Sequence, residues 1–325
     1  HAPSHGSQSP DFAATRAALA HYGEWFGPYP YGDITIVDPA WQSGAGGMEY
    51  PTLLTAGTRW LTPATVSRPE RVTIHETGHQ FWYGIVANDE VEDAWLDEGL
   101  NTFSSARVLT ASGHPDYHET RFFGGFIPWA FRGLPRSRAT DGNRLDLYRA
   151  AAELDMPSRP SFLYWPAAAD GISYAKTALW LHTLERYLGW EVLRTGLSTF
   201  FQRWQFHHPR PQDFFDALAE ASGQDLAWFF DQVYRGDETF DYGVQELTST
   251  AVRPTPDATA DTGGYRTVVV VRRFGEAIFP VDVVTTLRDG ERIAEQWNGR
   301  DRRVIYTYER PSQALSGQGD PERVL

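Results

Sequence analysis

The spacing of apolar residues changes twice along the chain. From Asp11 to Phe26, and again from Tyr174 to Arg235, apolar side chains recur at intervals of three and four, which places them on one helix face. Leu179, Leu184, Leu188, Phe214, Leu218, Phe229 and Val233 carry the second stretch. Gly189, His208-Pro209-Arg210-Pro211 and Gly223 punctuate it, so it predicts four successive helices, with Gly236 after the last. After Tyr242 the period shortens. Arg266 to Val271, Ile278 to Thr286 and Arg303 to Tyr308 are rich in β-branched and aromatic residues, with a turn at Asp289-Gly290 and a flexible crossing from Pro254 to Gly264. Upstream, Gly27 to Asp33 breaks the first helix and Ile34 to Val37 predicts a short strand. Ser67-Arg68-Pro69-Glu70 reads as a capping box opening a helix with no further proline or turn signal before Val86, and a second helix fits from about Ala94 to Ala111. His1 to Pro10 reads as a loose leader. Gly113 to Ile172 is irregular apart from a helix near Arg144 to Leu154, and an irregular region of that length is more often a functional surface than filler.

The order of elements predicts an α+β protein with a small all-β module beginning near residue 240. Its 325 residues suffice for two domains and a substantial core. A net charge of -13 argues against general affinity for nucleic acid or anionic lipid. With no cysteine, neither a disulfide nor a thiolate metal site can form, which leaves His, Asp and Glu to hold any transition metal. No apolar run has the length of a membrane span, and cysteine usage leaves the compartment open, whether extracytoplasmic or within a longer chain. Lys176 is the sole lysine; every other basic position carries arginine.

The candidate chemistry lies in Val72-Thr73-Ile74-His75-Glu76-Thr77-Gly78-His79 and in Trp95-Leu96-Asp97-Glu98-Gly99, with 18 residues between His79 and Glu98. On a helix His75 and His79 stand about 40° apart on one face, so both imidazoles can reach one ion. Two histidines and a glutamate are a common catalytic zinc set that keeps a position for water, and Glu98 would be the third ligand. Glu76, next to His75, is the candidate general base. These spacings point to a metal-dependent peptide hydrolase.

Three blocks together resemble the gluzincin zinc aminopeptidases of the aminopeptidase N type. Gly46-Gly47-Met48-Glu49-Tyr50 is similar to the family's G-x-M-E-N motif, the Trp-Leu-Asp-Glu-Gly setting of Glu98 to W-L-N-E-G, and Ser173-Tyr174-Ala175-Lys176 to its tyrosine-x-lysine motif. The resemblance implies a zinc aminopeptidase with one zinc ion per chain, acting on peptides with a free amino terminus. Glu49 would grip the α-amine, within a substrate-binding segment that includes Gly46, Gly47 and Met48, and Tyr174 would donate to the oxyanion. Taken alone, Glu49 reads rather as a strand-edge glutamate and Tyr174 as a packing residue; their places in the motifs reverse that reading. Tyr50 stands in place of the family's asparagine and Thr177 in place of a glycine after the lysine, so a close backbone approach there would be relaxed.

The implied organisation is a thermolysin-like catalytic domain over residues 1–172, a helical subdomain completing it over 173–239, and a β-sandwich-like module over 240–325. The family carries a large β domain before its exopeptidase motif, whereas 45 residues precede Gly46 here. Two rival readings remain: a zinc endopeptidase indifferent to the free amine, and a non-catalytic scaffold of the same fold. His114, His118, His207 and His208 read as surface residues, and the aromatic cluster Phe122-Phe123-Phe126-Trp129-Phe131 as core packing.

Overall fold

The computed structural model describes residues 10–40, 43–57, 68–113, 117–118, 137–138, 144–252 and 263–321. Ser67 of the expected capping box, His114, the aromatic cluster at 122–131, and residues 1–9 and 253–262 lie outside them. The chain is α+β and divides into two compact units, His1–Asp237 and Glu238–Leu325. Among the described residues no helix is long and apolar enough to cross a membrane.

In the first unit, α1 (Pro10–Trp25) packs along α2 (Arg68–Gly78), the helix of the histidine pair. Beside them lies a three-stranded sheet, order β1-β3-β2, formed by β1 (Thr35–Val37), β2 (Gly47–Tyr50) and β3 (Leu53–Ala56). β1 runs parallel to β3, and β2 antiparallel to it. Tyr22, Phe26, Phe81, Trp82, Phe200 and Phe201 close the core behind α2, each no more than 2% exposed. Truncating one such ring to alanine typically costs about 3–5 kcal/mol, so this aromatic wall fixes where α2 can sit.

The helix of the histidine pair is shorter than its sequence predicts. It stops at Gly78, and His79 begins the following turn while still donating its N–H to the His75 carbonyl at 3.2 Å. Gly78 allows this close fit, since a Cβ there would strike Asn101 Oδ1 and lie 2.6 Å from Tyr22 Oη. The second helix also departs from expectation. It starts earlier, with α3 (Glu90–Ala94), whose N-cap Asp89 accepts from Val91 and Glu92 at 3.0 and 3.2 Å. A π-helical turn, Trp95–Gly99, then interrupts it before α4 (Leu100–Ala111).

Beyond α5 (Arg144–Ala151) a second π turn, Gly171–Lys176, leads into α6 (Thr177–Leu188), α7 (Trp190–Trp204), α8 (Pro211–Ser222) and α9 (Ala227–Val233). Pro211 suits the first position of α8, where its missing N–H would have had no helical partner. Two further strands, β4 (Tyr117–His118) and β5 (Ser137–Arg138), form a small antiparallel pair.

The second unit consists of two three-stranded antiparallel sheets. One is β10-β7-β6, built from β6 (Tyr242–Val252), β7 (Gly264–Arg273) and β10 (Arg303–Arg310); the other is β11-β8-β9, from β8 (Val281–Leu287), β9 (Arg292–Trp297) and β11 (Ala314–Gly319). Val269, Val271, Val281, Val283, Trp297 and Tyr308 form its core. Three of these six strands match the sequence pattern. β6, β9 and β11 do not, because their outward faces are polar and β11 carries Gly317, whose missing side chain lets Val244 and Val269 pack close.

Candidate metal centre

Two π turns bring the site together. One contributes Glu98, the other Tyr174, and they meet at Gly99, where a Cβ would collide with the Thr177 side chain and lie 2.8 Å from the Ser173 carbonyl. Thr177, fully buried, therefore does not relax a close approach as its place in the motif implies. Here the small partner is Gly99, on the facing turn. A π turn inserts one residue into a helix and so rotates the helix beyond it, a device common at functional sites.

The result is a triangle of donor atoms. His75 Nε2 lies 3.1 Å from His79 Nε2 and 3.1 Å from Glu98 Oε2, and His79 Nε2 lies 3.2 Å from the same oxygen. Tetrahedral zinc with bonds near 2.0–2.1 Å separates neighbouring ligand atoms by about 3.3 Å. The donor set thus fits a zinc ion in type, number and spacing. Two imidazole nitrogens facing each other at this distance need a shared proton or a cation between them.

Asp97 fixes one of these rings. Its Oδ1 accepts from His79 Nδ1 at 2.6 Å, with both side chains no more than 2% exposed, which leaves Nε2 to face the other two donor atoms. Asn101 Nδ2 donates to the His75 carbonyl at 2.7 Å and holds the end of α2. A second group, Glu49, His79 and Asp97, also places ligand atoms within 4.8 Å of one another. Because Asp97 already engages His79 Nδ1, this group reads as support for His79. Asp97→Ala should weaken zinc affinity by about 10–100-fold in a chelator competition titration. An unchanged affinity would remove Asp97 from this role.

The electrostatics arise from burial and mutual contact. In the metal-free chain, burial pushes the His75 pKa down. Burial works the same way on His79, but the Asp97 carboxylate overrides it and raises that imidazole well above the usual value. Burial pushes Glu98 up, yet hydrogen bonds from His75 and His79 win and hold it below the ordinary carboxylate range. Glu76, 6% exposed, is raised to about 8, first by burial, with the His79 charge opposing and the Glu49 and Glu98 carboxylates adding to the rise. Gly47 makes room for it, since a Cβ there would lie 2.5 Å from Glu76 Oε1.

Glu49, on β2, stands close enough for its carboxylate to add to the raised Glu76 pKa. The strand that bears it is clamped by Gln80, which accepts from Thr52 N at 2.8 Å and donates to the Tyr50 carbonyl at 3.1 Å. Tyr50 itself is 53% exposed, next to Glu49 on a strand whose side chains alternate faces, so its difference from the family's asparagine falls away from the Glu49 carboxyl. The Tyr174 hydroxyl donates to Glu98 Oε1, and its ring stacks on His75 with centroids 6.1 Å apart. Burial and the Glu98 carboxylate raise its pKa, so the phenol keeps its proton. A cavity of about 350 Å³ opens beside His75, Glu76 and Tyr174, lined also by Arg71, Thr102, Leu109, Leu147 and Asp170. Met48 is half-buried and Gly46 precedes the strand. His207 and His208 are exposed and engage the carbonyls of Gln205 and Ala87, apart from the site.

Gln80, Asn101 and Asp97 are supporting residues that sequence reasoning does not single out. Asp97 had a signal, being adjacent to Glu98 and a carboxylate where the resembled motif has an amide. Gln80 and Asn101 had none.

A family model described as the peptidase family M1 domain matches residues 11–233. Aminopeptidase 2 of Candida albicans is 28% identical over 233 residues, 68% of this chain and 24% of that protein. Aminopeptidase N of Lactococcus lactis subsp. lactis is 30% identical over 163 residues, 49% of this chain and 18% of that protein. The chain thus spans about a quarter or less of the length of these relatives. Among solved structures, the Legionella pneumophila aminopeptidase A complex with aspartic acid superposes with a TM-score of 0.59 at 18% identity, covering 94% of this chain and 33% of that one, a likeness of fold.

Proposed function

The chain belongs to peptidase family M1, and on that premise we propose that it is a zinc aminopeptidase, hydrolysing the first peptide bond of peptides with a free amino terminus. The first unit is read as a thermolysin-like catalytic domain, with His75, His79 and Glu98 holding one zinc ion. When bound, zinc lowers the pKa of water towards neutrality and polarises a carbonyl. Glu76 takes the proton of the attacking water on its carboxylate and delivers it to the leaving nitrogen. The Tyr174 phenol, kept protonated, donates to the oxygen on which negative charge grows. The Glu49 carboxylate accepts hydrogen bonds from the α-ammonium and sets how far the substrate enters.

The observation that carries the amine requirement is the place of Glu49. Its carboxylate adds to the raised Glu76 pKa and offers an oxygen within 4.8 Å of the ligand atoms of His79 and Asp97. An acidic group so close to the reacting centre leaves space for a terminal ammonium and little for a continuing chain. The cavity beside His75, Glu76 and Tyr174 does not include Glu49 in its lining and suits the residue after the scissile bond.

One peptide offered free and N-acetylated tests this reading. The free form should be cleaved with a kcat/KM at least about 100-fold higher, and Glu49→Ala should narrow that ratio mainly by raising KM for the free form. Equal rates on both forms would favour an endopeptidase and remove Glu49 from its role.

A further inference from the structure

Lys176 is the sole lysine of the chain, and its side chain is 3% exposed. Its ammonium donates to the Gly236 carbonyl at 2.9 Å. Removing an ammonium from water is costly unless hydrogen bonds replace its hydration. Every other basic position uses arginine, so the lysine here reflects shape: a compact ammonium on a thin stem fits where a planar guanidinium does not.

Its place in the fold gives the contact a purpose. Lys176 is the last residue of the π turn Gly171–Lys176, which carries Tyr174 two positions earlier. Such turns are rare and persist where their surroundings over-determine them. Three contacts do so here. At its start, Gly171 fits against Leu147 and Ala151, where a Cβ would lie 2.5 Å from the Ala151 Cβ and 2.9 Å from the Leu147 carbonyl. In its middle, the Ser173 carbonyl faces Gly99. At its end, Lys176 reaches Gly236, just beyond α9, where the Arg235 N–H closes on the Phe230 carbonyl. The first two contacts are steric; the third is a directional bond from a charged group, and it joins the bond of the Tyr174 hydroxyl to Glu98 in holding the turn.

We propose that Lys176 is a positioning residue: by fastening the π turn to the carbonyl of Gly236 it fixes the aim of the Tyr174 phenol without touching substrate. A misplacement of about 1 Å at a reacting centre can cost about 100-fold in rate, so a side chain remote from the peptide can matter to turnover. The inference rests on the aminopeptidase reading, through the role given to Tyr174.

The test is a double-mutant cycle in the full chain with Lys176→Met, Tyr174→Phe and the pair, with zinc content and melting checked in each. Lys176→Met should lower kcat about 10–100-fold, leave KM within about twofold and keep the zinc, while the double variant should be no slower than Tyr174→Phe. A kcat within twofold of the parent, or a loss that adds to that of Tyr174→Phe, overturns the proposal. Should Lys176→Met fail to fold, Lys176→Arg keeps the charge but not the shape and should show the same kcat loss at unchanged KM. Parent-like turnover of Lys176→Arg, or failure of both variants to fold, assigns Lys176 a purely structural role. If the parent cleaves only blocked peptides, the amine reading falls and the cycle runs on that substrate with the same outcomes. A parent inactive on both forms overturns both ideas.

Discussion

Glu76→Gln is expected to lower kcat by about three to four powers of ten while leaving zinc content and KM close to those of the parent. Glutamine keeps the volume and one acceptor oxygen of the side chain but cannot take up a proton at neutral pH. The structure gives reasons for a large effect and for its confinement to kcat. Glu76 is 6% exposed and its carboxyl lies against Gly47 in space that a side chain there would fill, so little water is at hand to substitute for it. It is also not one of the three donor atoms that form the metal triangle, so its neutralisation leaves that triangle intact. One residue serves two proton transfers in the proposed reaction, which puts the loss at the upper end of what general acid–base groups contribute. Steady-state kinetics on an unblocked peptide, with metal analysis of both proteins, provide the check. Turnover within tenfold of the parent at equal zinc content would refute the proposed base and revive the scaffold reading.

The parts of this site differ in how far local sequence pattern reveals them. His75 and His79 are legible because a four-residue helical interval is enough to bring two rings to one ion. That holds even though the α-helix ends at Gly78 and His79 sits in the first residue of a turn. Glu98 is legible as a residue type at a family spacing but not as a position in space. The π turn that aims it depends on Thr177 filling the gap beside Gly99, a contact spanning 78 residues that no local periodicity encodes. Glu49 and Tyr174 have no local signature at all; only the resemblance of their surrounding motifs singles them out.

The rest of the fold shows the same division. The helices from Thr177 to Val233 are amphipathic and announce themselves, and β7 and β10 alternate cleanly enough to be read. β6, β9 and β11 are recognised only once their partners are known, because pairing rather than apolar content defines them. Gln80 belongs with them: its amide acts by binding the backbone of Thr52 and Tyr50, 28 and 30 residues before it in sequence.

Glu98→Ala is expected to abolish measurable hydrolysis and to weaken zinc binding by more than the roughly 10–100-fold that loss of an outer-shell partner costs. Glu98 supplies the only negative charge among the three proposed ligands, so without it a doubly charged ion would be left in a largely buried site with two neutral imidazoles. The substitution also takes away the acceptor of the Tyr174 hydroxyl, so the proposed metal and the proposed oxyanion donor would lose their common anchor. A binding readout separates this from simple unfolding. At free zinc about 1,000-fold above its Kd, the linked stabilisation of the parent is about 4 kcal/mol, which should appear as a zinc-dependent rise in melting temperature. The variant, if folded, should melt at a temperature insensitive to zinc over the same range, and a chelator competition should give its residual affinity. Near-parent zinc affinity in Glu98→Ala would mean that this carboxylate is not a ligand. The Glu49, His79 and Asp97 group would then be the next arrangement to test, with Asp97→Ala as the variant that must lose the metal outright.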